Sequence, residues 1–315
     1  MTRFTQGIRS LVAAAAFAAA TLVALPAWAA EPLVDVGWVK QNAGADGVVI
    51  IDARPSTDYL RGHIPGAVNT NYGKDGWRVK DNGVPGVFPK DTGKLAELIG
   101  GLGINNATHV VLVAPGSSSS DMGIATRMYW TFKVLGHDNV SVLNGGMKAY
   151  LSEVDDQKKP VNPLEKGAAK PTAKTFNVAL REAMLVDGAA VQAAIDAGAM
   201  PVDNRTHDQF LGVNRHPASK ASGTIPGSVN LPQSWMTENG GGNFRNADTL
   251  KKLYAAAGVP TEGAQVNFCN TGHWASIGWF VSSELLGNKD AMLYDGSMTA
   301  WTAEGKPMEA SISTN

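Results

Sequence analysis

The sequence predicts an α/β protein made of two copies of one unit, each a mostly parallel sheet flanked by helices. Internal repetition is the first sign: GHIPGAVN at 62–69 returns as GTIPGSVN at 223–230, with six of eight positions identical. Asp52-Ala53-Arg54 returns as Asp203-Asn204-Arg205, and the stretch from Leu135 returns at Leu286 with the same spacing, which marks a tandem duplication. The second sign is alternation. Short apolar runs rich in Val and Ile take turns with helical patterns, the order that gives parallel strands joined by covering helices.

Taken in order, VVIID at 48–52 predicts a buried strand, KLAELIGGLG a helix, VVLVA at 110–114 a second buried strand, and GIATRMYWTFKVLG a longer helix. In the second copy QVNFC at 265–269 predicts a strand, and ASIGWFVSSELLG a helix beginning near Ala275. Between the copies, Asp155 to Lys174 is polar, holds three prolines and has no apolar period, so it reads as a linker. This places one domain at 31–154 and the other at 175–311. Residues 1–29 read as a cleaved signal peptide. Arg3 and Arg9 precede an apolar run from Leu11 to Leu25, and Ala27-Trp28-Ala29 forms a small-residue cleavage pattern, so the expected destination is the periplasm. The apolar run is too short and too rich in Ala to read as a membrane span.

The formal charge is −1, and losing Arg3 and Arg9 makes it −3. Such a balance offers no footprint for nucleic acid or an anionic membrane, which leaves a small molecule as the expected partner. Cys269 is the only cysteine, so an intrachain disulfide is impossible, and keeping a lone thiol in an oxidising compartment points to chemistry. It stands at the end of a predicted strand, where α/β proteins place their ligands, and is followed by Asn270, Thr271, Gly272, His273 and Trp274. Amides around such a loop can face an anion and favour the thiolate, and Gly272 lets the backbone curl closely around sulfur. No second cysteine completes a CxxC pair. The position six beyond Cys269 is Ala275, where a cysteine phosphatase needs an arginine.

With GHIPGAVN, GTIPGSVN, CNTGHW and YDGSMTAW in this order, the chain resembles the tandem rhodanese family of thiosulfate and 3-mercaptopyruvate sulfurtransferases over essentially its whole mature length. The resemblance implies two rhodanese-like domains, with catalysis in the second and a structural role for the first, where Ala114 stands in place of the cysteine. Cys269 would carry sulfur as a persulfide, taken from thiosulfate, 3-mercaptopyruvate or another persulfide and given to a thiol or cyanide. Neither a metal nor an organic cofactor is needed. A persulfide carrier without efficient turnover is the alternative, and the oligomeric state stays open.

The candidate donor-binding residues are Asn270, Thr271, Gly272, His273 and Trp274, together with Arg205 and Arg215; His216 and Lys220 are further cations nearby. The family's thiosulfate-specialised loop follows its cysteine with Arg and Lys, whereas Asn270 and Thr271 are neutral. Thr271 leans toward the mercaptopyruvate branch, yet the segment 70–90 lacks that branch's His, and Gln209 stands where an arginine is expected. His273 is a candidate ion-pair partner or proton donor for the sulfur. Arg54 and Arg205 recur in both copies, which also suits an ion pair within each domain. Trp274 reads as a pocket wall, Trp235, Trp279 and Trp301 as packing, His63 as structural, and Ser117–Ser120 as a solvated loop.

Overall fold

The computed structural model describes residues 30–312; the signal-peptide pattern at 1–29 lies outside them. The first unit opens with β1 (Leu33–Val34), α1 (Val36–Asn42), β2 (Val48–Asp52) and α2 (Ser56–Arg61). It continues with β3 (Val68–Asn69), β4 (Val79–Asp81), β5 (Val84–Val87) and α3 (Thr92–Gly101), and closes with β6 (His109–Val113), α4 (Ser119–Val134), β7 (Val140–Leu143) and α5 (Gly146–Tyr150). Its main sheet is parallel throughout, in the order β1-β7-β6-β2-β3. β2 and β6 are buried by helices on both faces, which is why they read as unbroken apolar runs.

The second unit comprises α6 (Gly188–Asp196), β8 (Met200–Asp203), α7 (His207–Leu211), β9 (Val229–Asn230), α8 (Ala247–Ala257), β10 (Gln265–Phe268), α9 (His273–Trp279), β11 (Ala291–Leu293) and α10 (Ser297–Ala303). Its sheet is again all parallel, in the order β11-β10-β8-β9. α9 begins at His273, two residues ahead of the expected start, and runs on into a π-helical stretch, Phe280–Leu285.

Each copy is pinned by the same clamp. Asp52 accepts from the Arg54 amide and guanidinium, and Arg54 Nη2 donates to Gly62 O at 2.7 Å. In the second copy Asp203 holds Arg205, whose Nη2 reaches Gly223 O at 2.8 Å. The repeated Asp-x-Arg thus ties the strand end to the repeated glycine turn.

The segment 155–174 has no helix, yet it is not a free tether. Glu165 exchanges both backbone hydrogen bonds with His63, and its carboxylate accepts from Gly66 N at 2.8 Å. Thr224, Glu309 and Gly227 N repeat these bonds in the second unit. The segment reads as polar because this strap contributes backbone and a carboxylate rather than apolar side chains. A second element lay hidden in 70–90, where β4 and β5 form an antiparallel ribbon around Asn82-Gly83, both with positive φ. Asn-Gly between alternating valines is a hairpin signal.

α4 is the element that both units pack against. It is buried along most of its length because its own sheet covers one side and the second unit the other. Tyr129 meets Phe280 edge to face at 5.0 Å, the Thr126 and Ser276 hydroxyls meet at 2.7 Å, and one apolar core runs through both units. Among the described residues no helix is long and apolar enough to cross a membrane.

Asp203 and Arg205 are both almost fully buried, so truncating one strands the other's charge. Arg205→Ala is expected to lower stability by about 3–5 kcal/mol, read as a shift of the urea midpoint. Lys at the same position should recover only part of the loss, since it cannot fork across both carboxylate oxygens and Gly223 O.

Candidate active site

Cys269 follows β10 directly and is 1 % exposed. Its loop curls over the turn between β11 and α10, and the centre of that contact is one hydroxyl. Ser297 Oγ accepts from Cys269 N at 3.0 Å and from Gly272 N at 3.1 Å, and lies 4.0 Å from Cys269 Sγ. Its own proton goes to Tyr294 O, at 2.8 Å the nearer acceptor. Met298 N and Thr299 N close the contact on Cys269 O and Asn270 O. Among the described residues, the amides of Asn270, Thr271, His273, Trp274 and Ala275 donate to no other group, so five N–H dipoles of the loop that follows the cysteine are left without an acceptor.

Ser297 adopts φ 49°, a left-handed conformation costly for a residue with a Cβ. The first copy solves the same turn with Gly146 at φ 58°, under Ala114, and Met147 N bonds Ala114 O as Met298 N bonds Cys269 O. A cysteine and a serine in the second copy therefore replace an alanine and a glycine in the first. Ser297 was not foreseen from sequence, although NGG at 144–146 against DGS at 295–297 carried the signal.

The other unforeseen residues come from the first unit. Arg78 Nη2 donates to Thr271 O at 2.8 Å, and Tyr72 stands 3.1 Å from His273 Nδ1. Asp295 Oδ2 accepts from Phe88 N at 2.6 Å, while its other oxygen pairs with the fully buried Arg127 of α4. Arg127 lies so close beneath Gly272 that a Cβ there would overlap its Nη1, which together with φ 73° explains the glycine. The first unit is thus more than scaffold, because it forms one wall of the cysteine loop.

Several candidate residues serve the seam instead of a donor. His273 Nε2 bonds the Ser120 carbonyl at 2.9 Å, so it carries the ring proton, and Nδ1 accepts from the Tyr72 hydroxyl. With both nitrogens engaged, the ring neither pairs with the thiolate nor delivers a proton. Burial above all, then the charges of Arg78 and Arg127, push its pKa down to about 4 against the pull of the Ser120 carbonyl. Trp274 Nε1 donates to Ser120 Oγ at 2.9 Å, an interdomain anchor. The serine loop is correspondingly no solvated turn, since Ser118 caps α4 and Ser120 receives two bonds from the second unit.

Of the two readings of Arg205 the ion pair within the domain holds and the donor contact does not, because every hydrogen bond of its guanidinium stays with Asp203 and Gly223. Arg215 is exposed and donates to Ser219 O inside its own turn, and neither its side chain nor that of the exposed Lys220 makes a hydrogen bond to residues 269–274. Asn270 Nδ2 does reach a loop neighbour, Gln209 Oε1, at 2.8 Å. Two cavities along the seam, about 400 and 820 Å³, include none of residues 269–274. Among the described residues no cluster of three or more His, Cys, Asp or Glu gathers in a metal-binding arrangement.

The rhodanese-like domain profile matches residues 35–153 and 188–304, one copy in each unit. The chain belongs to the rhodanese family. A Saccharopolyspora erythraea protein provisionally named thiosulfate sulfurtransferase is 31 % identical over 289 residues, 89 % of this chain and 96 % of the relative. A similarly named Haloferax volcanii protein is 30 % identical over 298 residues, 90 % and 97 % of the two chains. Among solved structures, Escherichia coli SseA, described as a 3-mercaptopyruvate sulfotransferase, superposes with TM-score 0.69 at 24 % identity, covering 85 % of this chain and 99 % of its own. Tum1 of Saccharomyces cerevisiae gives 0.71 at 20 % identity, covering 90 % and 99 %. At these identities the structural likeness speaks for the rhodanese fold alone.

Two outcomes follow from the loop. Ser297→Ala removes the acceptor shared by two buried amides and should cost about 1–3 kcal/mol in urea unfolding. By loosening the loop it should also slow modification of Cys269 by about tenfold to a hundredfold in single-turnover mass spectrometry. His273 is held neutral at a pKa below that of the unfolded chain, so its full contribution is present above about pH 6.5 and is lost as pH falls toward about 4. The loss is at most about 3 kcal/mol, less because His273 as a whole is only half-buried. The urea midpoint should fall across that window in the wild type and fall less in His273→Gln, and an NMR titration of His273 centred near 6.5 would contradict the assignment.

Proposed function

We propose that this protein is a sulfurtransferase that moves sulfane sulfur from a small anionic donor to a thiophilic acceptor through a persulfide on Cys269. The observation that carries the reading is a lone thiol at a strand end, followed by a loop whose amides at 270, 271 and 273–275 donate to no other group among the described residues, while the repeat-equivalent position is Ala114. The names of the curated relatives support the same class of reaction.

With thiosulfate, the Cys269 thiolate attacks the outer sulfur, a new S–S bond forms, and the electron pair of the old one departs with sulfite. The negative charge then rests on the terminal sulfur of the persulfide, which the free amides of Asn270, Thr271, His273, Trp274 and Ala275 would stabilise. Cyanide or a thiolate takes that sulfur, leaving as thiocyanate or a new persulfide and restoring the Cys269 thiolate. Asn270 and Gln209, linked side chain to side chain, offer amide groups rather than cations beside the loop. This suits donors of lower charge, such as mercaptopyruvate or organic persulfides, as well as thiosulfate. The pattern at 1–29 supports export, with the periplasm as the place of action.

Intact-protein mass spectrometry after incubation with thiosulfate, mercaptopyruvate or glutathione persulfide should show a gain of about 32 Da, one sulfur atom, on the wild type and none on Cys269→Ser. Continuous thiocyanate formation from thiosulfate and cyanide, lost in Cys269→Ser, marks an enzyme. Stoichiometric loading without turnover would mark a carrier, and no gain with any donor would sink the persulfide.

A further inference from the structure

Three arginines near the two repeated sites are spoken for by carboxylates: Arg54 by Asp52, Arg205 by Asp203 and Arg127 by Asp295. Arg78 is different. It is half-buried, its guanidinium donates to two backbone carbonyls, Gly86 O at 2.9 Å and Thr271 O at 2.8 Å, and it lies over the Tyr72 ring at 5.4 Å. Among the described residues it has no carboxylate partner, so its positive charge is not cancelled by an ion pair.

The contact with Thr271 also has a directional effect. In a trans peptide the C=O and the following N–H point in opposite senses. Drawing Thr271 O outward to Arg78 turns Gly272 N–H inward, to Ser297 Oγ beside the sulfur. The guanidinium thereby fixes one peptide of the loop and places a full charge on a loop whose own residues after Cys269 are neutral or, at His273, held neutral.

We propose that Arg78, a residue of the domain without the thiol, is the positioning and charge-selectivity residue of the Cys269 loop, favouring anionic over neutral reactants at the sulfur. The proposal rests on the persulfide reading for its biological meaning, but its physical content is a local field. Among the described residues, the charged and titratable groups in hydrogen-bond, ion-pair or close contact with the loop and its wall are Arg78 and Tyr72 from the 70–90 segment, Arg127 from α4, Asp295 from the β11–α10 turn and His273 within the loop itself. Arg127 and Asp295 oppose one another, and Tyr72 and His273 are neutral near pH 7 because burial raises the first and lowers the second. Arg78 is left as the net charge.

The test compares alkylation of Cys269 in the full chain by iodoacetate, an anion, and iodoacetamide, a neutral reagent of the same size, at one pH and low salt. Taking the ratio of the two rates cancels any change in how much thiolate is present. Arg78→Gln should lower the iodoacetate-to-iodoacetamide ratio about fivefold to tenfold, the effect expected of one charge partly screened by solvent. Arg78→Lys should keep the ratio within about twofold of wild type while the loop's bond to Thr271 is weakened. In steady state, Arg78→Gln should raise KM for dianionic thiosulfate more than for mercaptopyruvate.

An unchanged ratio in Arg78→Gln, an equal fall in Arg78→Gln and Arg78→Lys, or no alkylation of the wild type by either reagent would each overturn the proposal. If Arg78→Gln does not fold, the salt dependence of the wild-type ratio decides: the ratio should drop toward that of free cysteine as ionic strength rises, and indifference to salt overturns the assignment. A wild type that shows the ratio yet gains no sulfur from any donor would refute the persulfide reading and leave the field intact.

Discussion

A loop that presents free amides to a sulfur atom cannot close on itself, because the groups that would fold it are the ones kept open. The Ser297 hydroxyl resolves that conflict. It takes the two amides that would otherwise collapse inward, those of Cys269 and Gly272, and anchors them through its proton to Tyr294 O. The remaining amides stay unspent. Left-handed backbone at Ser297 is the cost of putting an oxygen there, where the first copy keeps the unstrained glycine that the turn prefers.

Duplication explains why that strain can be carried. Both units share the Asp-x-Arg clamp, the strap through Glu165 or Glu309, and the turn that lays a helix start under the strand end. One copy carries the buried thiol, and the other packs against its loop as support. The buried Arg127, with Asp295 opposite, is the clearest mark of this division, since the charge sits on α4 of one unit and its partner on the turn of the other. Breaking either side would leave a desolvated charge, so the seam and the loop stand or fall together.

The parts of this design that are legible in the sequence are the local and repeated ones. VVIID coincides with β2, VVLVA falls one residue short of β6 at one end and one past it at the other, and the position of Cys269 after a buried strand follows from the apolar run before it. What escaped is what depends on distant partners. Tyr72 and His273 are 201 positions apart, and Arg78 and Thr271 are 193, so neither pairing leaves a pattern in either segment. His273 illustrates the hazard: an imidazole in a loop beside a lone thiol invites a catalytic role, and only the Ser120 carbonyl and Tyr72 hydroxyl reveal that both nitrogens are already used. Arg205 was legible in part, since its recurrence with Arg54 in both copies suits the ion pair with Asp203 that consumes its charge and leaves no cation for a donor.

The electrostatics of the loop therefore have to be counted across the seam rather than along the chain. Reading outward from Cys269 gives asparagine, threonine and glycine, and suggests a site indifferent to donor charge. Counting the groups that touch the same backbone gives two arginines, one carboxylate and one neutral imidazole, a net positive surround delivered by the unit without the thiol. A loop supplied with charge in this way can change its donor preference through substitutions in the 70–90 ribbon while its own six residues stay fixed by the demands of Ser297 and the seam. On the proposed reading, charge selectivity and sulfur chemistry would then be encoded in different domains, one supplying Arg78 and the other Cys269.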